Sequence, residues 1–170
     1  MDEVRFQTEY EQVADQLFTC LVRATGDREW AADLLQEAAF RAYRARKGFR
    51  EDSAFKTWIY RIAMNVMKNQ MIRQGRERRW AVEQGSQDLP SRQTPESLLS
   101  GKRTADELSR ALEMLEEGYR MPFLLKHVDG MSYREIAEVL DVGEGAARVR
   151  VHRARHALAN LLKGSWEDGQ

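Results

Sequence analysis

Four polar side chains recur at every fourth position in the first half of the chain. They are Arg61, Asn65, Asn69 and Arg73. Residues with this spacing share one face of an α-helix. An amide can hydrogen-bond the edge of a nucleic-acid base, and a guanidinium group can contact a base or a phosphate. This set, the amide–arginine stripe, therefore indicates a nucleic-acid-binding surface.

A capping signal marks the start of a helix in the second half of the chain. In the run Ser132-Tyr133-Arg134-Glu135, the serine and the glutamate can each accept a hydrogen bond from the other's backbone N–H. The pattern predicts a helix over 133–140. The positions expected to face inward are Ile136, Ala137 and Leu140.

A second helix is predicted directly after a short turn at 141–143. It starts near Gly145, and Val149 is expected to face inward. Its largely outward positions are Arg148, Arg150, Arg153 and Arg155. Two helices joined in this way form a helix-turn-helix, whose second helix enters the major groove of DNA.

Other helices must hold these two surfaces. Asp27 is predicted to cap a helix that starts at Arg28 and ends by Gly48. A loop over 49–53 and a helix over about 54–78 follow, the latter capped by Asp52 or Ser53. Its inward positions are Phe55, Trp58 or Ile59, Ile62 and Val66. Further helices are predicted over about 104–116 and 119–128, the first with Leu108, Ala111, Leu112 and Leu115 inward. No segment alternates convincingly as a strand would, so the expected fold class is all-α.

The segment 84–101 interrupts this periodicity. It is rich in Ser, Gln, Gly and Pro, and it holds Pro90 and Pro95. We interpret it as a flexible linker, because such a composition cannot bury enough apolar area to order itself. The linker separates two small helical domains, 1–83 and 102–170, which are expected to pack together only weakly.

The charge distribution supports binding to a polyanion although the net charge is zero. Residues 41–80 hold 12 Lys and Arg against 3 Asp and Glu, and residues 148–163 hold 5 against 0. Residues 1–40, with 3 against 9, are acidic. The local field acts on a partner more than the total charge does.

Several classes of protein do not fit the composition. The single cysteine, Cys20, excludes an internal disulfide and a cysteine-based zinc cluster. His152 and His156 are four apart but have no third ligand nearby, so we expect no metal site and no cofactor. With no catalytic motif, we expect no enzyme. No leader and no apolar run of about 18 residues is visible, so we expect a cytoplasmic protein.

Both halves of the chain resemble one family, the extracytoplasmic-function (ECF) sigma factors. The runs DLLQEAAF (33–40) and FREDSAFKTWIYRIAMN (49–65) resemble the domain of that family that binds the promoter −10 element. The runs DGMSYREIA (129–137) and HRAR (152–155) resemble its −35 domain. The resemblance implies transcription initiation with core RNA polymerase and promoter DNA as partners, and an anti-sigma factor as regulator.

The resemblance also implies roles for individual residues. Asp33, Gln36 and Glu37 match residues that dock on the polymerase clamp helices. The −10 set consists of Phe49, Arg50, Ser53, Arg61, Asn65, Asn69 and Arg73. Within it, the loop from Phe49 captures a flipped-out base that Asn65 reads. For Phe55 and Trp58 we favour plain core packing. The −35 set consists of Ser132, Tyr133, Arg148, Arg150, Arg153 and Arg155.

The sequence departs from the family pattern at the start of the recognition helix. Ala146, Ala147 and Val149 replace a Thr-Val-x-Ser pattern, and Gly143 replaces a proline. Ala146 can touch a thymine methyl group but cannot hydrogen-bond a phosphate as threonine would.

Two alternatives remain at this point. A helix-turn-helix regulator with a helical sensor domain explains the second half equally well but assigns no purpose to the amide–arginine stripe. A protein whose charged helices bind only other proteins is the third reading. A sigma factor co-purifies with core polymerase and binds promoter DNA weakly without it, whereas a regulator binds its operator alone.

Overall fold

The computed structural model describes residues 1–50, 53–83 and 103–167. Those residues form seven α-helices and one short 3₁₀ turn, and no strand occurs among them. The helices are α1 (Glu3–Thr25), α2 (Arg28–Ala45), α3 (Phe55–Glu83), α4 (Arg103–Met114), α5 (Glu117–His127), α6 (Tyr133–Leu140) and α7 (Glu144–Glu167), with the 3₁₀ turn at Arg46–Gly48. The all-α prediction is confirmed.

Local capping determines where the first two helices begin. The Asp2 carboxylate accepts a hydrogen bond from the backbone N–H of Arg5 at 2.8 Å, and the Asp27 carboxylate accepts one from Trp30 at 3.0 Å. Between them, Gly26 ends α1 with φ +68°, a left-handed conformation that glycine adopts at little cost. The predicted cap at Asp27 is therefore confirmed.

Helices α1 to α3 pack around a common apolar core. Its fully buried members include Leu17, Leu21, Leu34, Ala38 and Ile59. The predicted inward face of α3 is confirmed at Phe55, Trp58, Ile59 and Val66, while Ile62 is half-buried. Burying this face leaves the other side of α3 exposed to solvent.

Helices α4 to α7 form a second group around α5 and α7. Leu124, Leu125 and Ile136 are fully buried. Ala111 and Leu112 on α4 and Leu115 directly after it are buried as predicted. The expectation for Leu108 was wrong, because its side chain is 38 % exposed.

The two groups of helices pack directly against each other, which differs from the weak packing expected from the sequence. Helix α3 lies against α6, and α1 lies against α4 and α5. The Tyr60 hydroxyl donates to the Asp129 carboxyl at 2.9 Å, and Lys56 Nζ donates to the Asp129 carbonyl at 2.8 Å. Arg120 donates to the carbonyl of Ala24, the last-but-one residue of α1, at 2.9 Å. The linker, 84–101, lies outside the described residues.

Candidate nucleic-acid interface

The amide–arginine stripe occupies the solvent-facing side of α3. Arg61, Asn65, Asn69 and Arg73 are all exposed, as the four-residue spacing predicted. The opposite side of the same helix is buried at Ala63, Val66 and Met67. Core packing therefore fixes the rotation of α3 and leaves four hydrogen-bonding side chains on its exposed side.

Aromatic side chains support the loop that precedes α3. The Phe49 ring lies 5.0 Å from Trp58 and 6.0 Å from Phe55, measured between ring centroids. Trp58 is 9 % exposed and Phe55 is 6 % exposed, so both rings belong to the core, as we favoured for them. Phe49 is half-buried. Arg50 is exposed and Ser53 half-buried, while Asp52 lies outside the described residues.

A groove of about 650 Å³ between α2 and α3 joins two of the predicted sites. Its α2 side carries Asp33, Gln36 and Glu37, which we call the α2 triad, and its α3 side carries Asn69 and Arg73. Asp33 and Gln36 are exposed, and Glu37 pairs with Arg41 at 2.6 Å. The structure thus places the predicted polymerase contacts beside the C-terminal end of the amide–arginine stripe.

The groove also contains an aromatic residue that the site prediction omitted. Phe40 lines it with 55 % of its side chain exposed, and the Arg44 guanidinium lies 5.7 Å from the centre of its ring. Phenylalanine is enriched at protein–protein interfaces relative to the rest of the surface. The sequence could have indicated Phe40 as a member of this surface, because it lies four residues after Gln36 on the same face of α2.

The helix-turn-helix has the predicted geometry. The Ser132 hydroxyl accepts from the Glu135 N–H at 3.2 Å, and the Glu135 carboxylate accepts from the Ser132 N–H at 2.8 Å. The Ser132 N–H and the Ser132 hydroxyl, which donates to the carboxylate at 2.7 Å, together hold the pKa of the Glu135 carboxyl below its ordinary value. Asp141 ends α6 in a left-handed conformation, with φ +53°. The capping box and the turn at 141–143 are therefore confirmed.

The recognition helix α7 presents its arginines to different degrees. Arg148, Arg153 and Arg155 are exposed, whereas Arg150 is half-buried. Arg148 is held to the side of the helix, since it pairs with Glu144 at 3.3 Å and its guanidinium lies 4.7 Å from the centre of the Tyr133 ring.

One expectation for α7 was wrong. Val149 does not face inward, because its side chain is 49 % exposed. Over 144–162, where burial is described, the buried positions of α7 are Ala147, Val151, Ala154 and Leu158. At 3.6 residues per turn these four lie on one side of the helix, and Val149 lies on the opposite side.

Two family models match the two halves of the chain. The model described as "Sigma-70 region 2" matches residues 10–77, which include the α2 triad and the amide–arginine stripe. The model described as "Sigma-70, region 4" matches residues 105–158, which include the helix-turn-helix. The ECF RNA polymerase sigma-E factor of Escherichia coli (strain K12) is 40 % identical over 139 residues, covering 77 % of this chain and 73 % of that protein. The chain belongs to the ECF sigma factors.

Other relatives agree with this assignment. The RNA polymerase sigma-H factor of Pseudomonas aeruginosa is 34 % identical over 151 residues, 84 % of this chain and 78 % of that protein. The sigma factor RpoE of Bartonella quintana, solved with the anti-sigma factor NepR, superposes with a TM-score of 0.80 at 26 % identity, covering 94 % of this chain and 97 % of that one. CnrH, solved with the cytosolic domain of CnrY, has the same fold, with a TM-score of 0.70 at 22 % identity and coverages of 96 % and 90 %.

Membership of the ECF sigma factors gives the activity of the chain. It is a transcription initiation factor that binds core RNA polymerase and promoter DNA, and it is not an enzyme. Within the part of the chain that the structure describes, no helix is long and apolar enough to cross a membrane. No group of three or more His, Cys, Asp or Glu side chains is placed to hold a metal ion there.

Proposed function

We propose that this ECF sigma factor divides its work among three surfaces. The amide–arginine stripe of α3, with Phe49, Arg50 and Ser53, binds the −10 element. The −35 element contacts α6 and α7 through Ser132, Tyr133, Arg148, Arg150, Arg153 and Arg155. The α2 triad docks on core polymerase. The proposed domain boundaries are 1–83 and 102–170, with 84–101 as the linker.

The observation that carries this proposal is the separation of two exposed polar surfaces on two groups of helices. Asn65, at the centre of the stripe, is exposed and offers both a donor and an acceptor, as base recognition requires. Arg153 is exposed on the recognition helix, where a guanidinium can bind a phosphate or a guanine edge. A flipped −10 base costs a few kcal/mol of lost stacking, and the half-buried ring of Phe49, in the loop before α3, offers a surface to compensate for it.

Two further features belong to the proposal. We place the protein in the cytoplasm, where RNA polymerase and promoters are found. We also propose that an anti-sigma factor controls it, in an envelope or stress response. The support for this control is the likeness in fold to RpoE of Bartonella quintana, which was solved with its anti-sigma factor.

Run-off transcription with core enzyme tests the division of work. The templates carry every single-base change in the −10 and −35 elements. Asn65→Ala should relax discrimination at one −10 base, with a loss of about 1–3 kcal/mol, and leave the −35 preferences unchanged. Arg153→Ala should weaken −35 engagement and leave −10 preferences unchanged.

Two exposed residues outside the proposed surfaces provide matched controls. Gln7→Ala removes an exposed amide from α1, and Arg110→Ala removes an exposed arginine from α4. Both should transcribe as the wild type does. If Asn65→Ala changed the base preferences of the −35 element only, or changed no base preference in either element, Asn65 would not read the −10 element.

A further inference from the structure

One side of the recognition helix is apolar at its leading end. The first two turns expose Glu144 and Arg148 on the side next to α6, whereas the exposed residues that face away from the core are Gly145, Ala146 and Val149. Val149 lies opposite the buried stripe of α7 and has 49 % of its side chain in solvent. Scattered exposed valines are common on surfaces, but this one lies where a helix-turn-helix protein approaches base edges most closely.

None of these three side chains can form a hydrogen bond. In the major groove, guanine, adenine and cytosine are distinguished by donors and acceptors, and the C5-methyl of thymine is the apolar group on offer. Arg148, the residue before Val149, pairs with Glu144 and lies over the Tyr133 ring, on the side of α7 next to α6. The first exposed cation beyond Val149 on its own face is Arg153, one turn later.

We propose that Val149, assisted by Ala146, selects thymine in the −35 element through contact with its C5-methyl group. The inference rests on the proposed assignment of the −35 element to α7. The exposed arginines Arg153 and Arg155 bind phosphates of the DNA backbone. The side chain of Val149 loses its contact with water when the thymine methyl group packs on it. Specificity at this position is therefore apolar, whereas cationic contacts supply affinity.

The experiment uses holoenzyme, formed from core polymerase and the full chain, on templates with a randomised −35 region. After the preferred −35 sequence has been selected by transcription, each of its thymines is replaced in turn by uracil, which differs only by the missing methyl group. At one thymine, wild-type transcription at limiting holoenzyme should fall about fourfold, as expected for losing the burial of one carbon-sized group. Val149→Ala should transcribe the thymine and uracil templates equally.

Arg153→Ala is the matched control on the same helix face. It should lower transcription from both templates and keep the ratio between them near the wild-type value. The proposal is overturned if wild-type holoenzyme uses uracil as well as thymine at every −35 position, if the selected −35 element contains no thymine, or if Val149→Ala keeps the wild-type ratio. If instead −35 changes have no effect on transcription at all, the assignment of the −35 element to α7 fails, and that result is distinct from an unchanged thymine preference.

Discussion

The hydrogen bond between Tyr60 and Asp129 connects the two groups of helices through a buried site. Tyr60 is fully buried on α3, and Asp129, 5 % exposed, lies in the turn before α6. The Tyr60 hydroxyl is 2.9 Å from Oδ1 of the carboxyl, while Oδ2 is buried without a nitrogen or oxygen partner. Tyr60→Phe therefore removes the one hydrogen bond that the side-chain oxygens of Asp129 accept from a nitrogen or oxygen donor among the described residues.

The expected cost follows from that loss. Removing one partner from a buried polar group destabilises a protein by about 1–3 kcal/mol. Tyr60→Phe should lower the free energy of unfolding in urea by this amount, and fluorophores on α2 and α7 should report a looser interface between the two groups of helices. Tyr10→Phe is the matched control, because Tyr10 is half-buried and stacks on Phe6 in α1. Tyr10→Phe should lower the free energy of unfolding by less than about 0.5 kcal/mol.

The pH dependence of the same site gives an independent measurement. Burial raises the pKa of the Asp129 carboxyl, and this outweighs the opposing effect of hydrogen bonds from Cys20 and Tyr60 and of the nearby Lys56 charge. In the unfolded chain an Asp ionises near pH 3.9. The contribution of the neutral carboxyl is therefore fully present below that pH and is lost as the pH rises through the higher folded pKa.

Asp129→Asn cannot ionise and isolates this contribution. Its free energy of unfolding relative to the wild type should increase between about pH 4 and pH 7, since only the wild type must then bury a charge or hold a proton. Equal stability losses for Tyr60→Phe and Tyr10→Phe, together with a pH-independent difference for Asp129→Asn, would refute the buried bond as a stabilising link.

Two further predictions concern the polymerase surface and the helix-turn-helix. Alanine at all three positions of the α2 triad should weaken binding to core polymerase about tenfold, which is the loss expected if one of the three is an energetically dominant contact. The melting temperature should not fall, because exposed changes cost little stability. Unchanged affinity in a pull-down titration would exclude the triad from the interface. Ser132→Ala should cost about 1 kcal/mol of unfolding free energy at neutral pH by removing the cap of α6. The Ser132 hydroxyl also donates to the Glu135 carboxylate at 2.7 Å and so helps to lower the Glu135 pKa, and this part of the cost should disappear as the pH falls through the folded pKa. An equal cost at every pH would contradict a stabilising bond from the hydroxyl to the carboxylate.

Local signals in the sequence determined the elements and most of the site. Helix starts at Arg28 and Tyr133 depend on a capping residue and its neighbours within three positions, so the sequence alone contains the whole interaction. The amide–arginine stripe was predictable for a similar reason. The opposite side of α3 is so consistently apolar that only one rotation of the helix buries it.

The tertiary structure decided what depends on residues far apart in the chain. In α7 the apolar residues Ala147, Val149 and Val151 alternate, so periodicity over this stretch could not tell which of them faces inward. Packing against α4, α5 and α6 buried Ala147 and Val151 and left Val149 in solvent. The hydrogen bonds that Asp129 accepts from Lys56 and Tyr60 join residues 73 and 69 positions apart in the chain. Lys56 donates to the backbone carbonyl of Asp129, and Tyr60 donates to its carboxyl group. These hydrogen bonds follow no hydrophobic period, because they exist only when the two groups of helices meet.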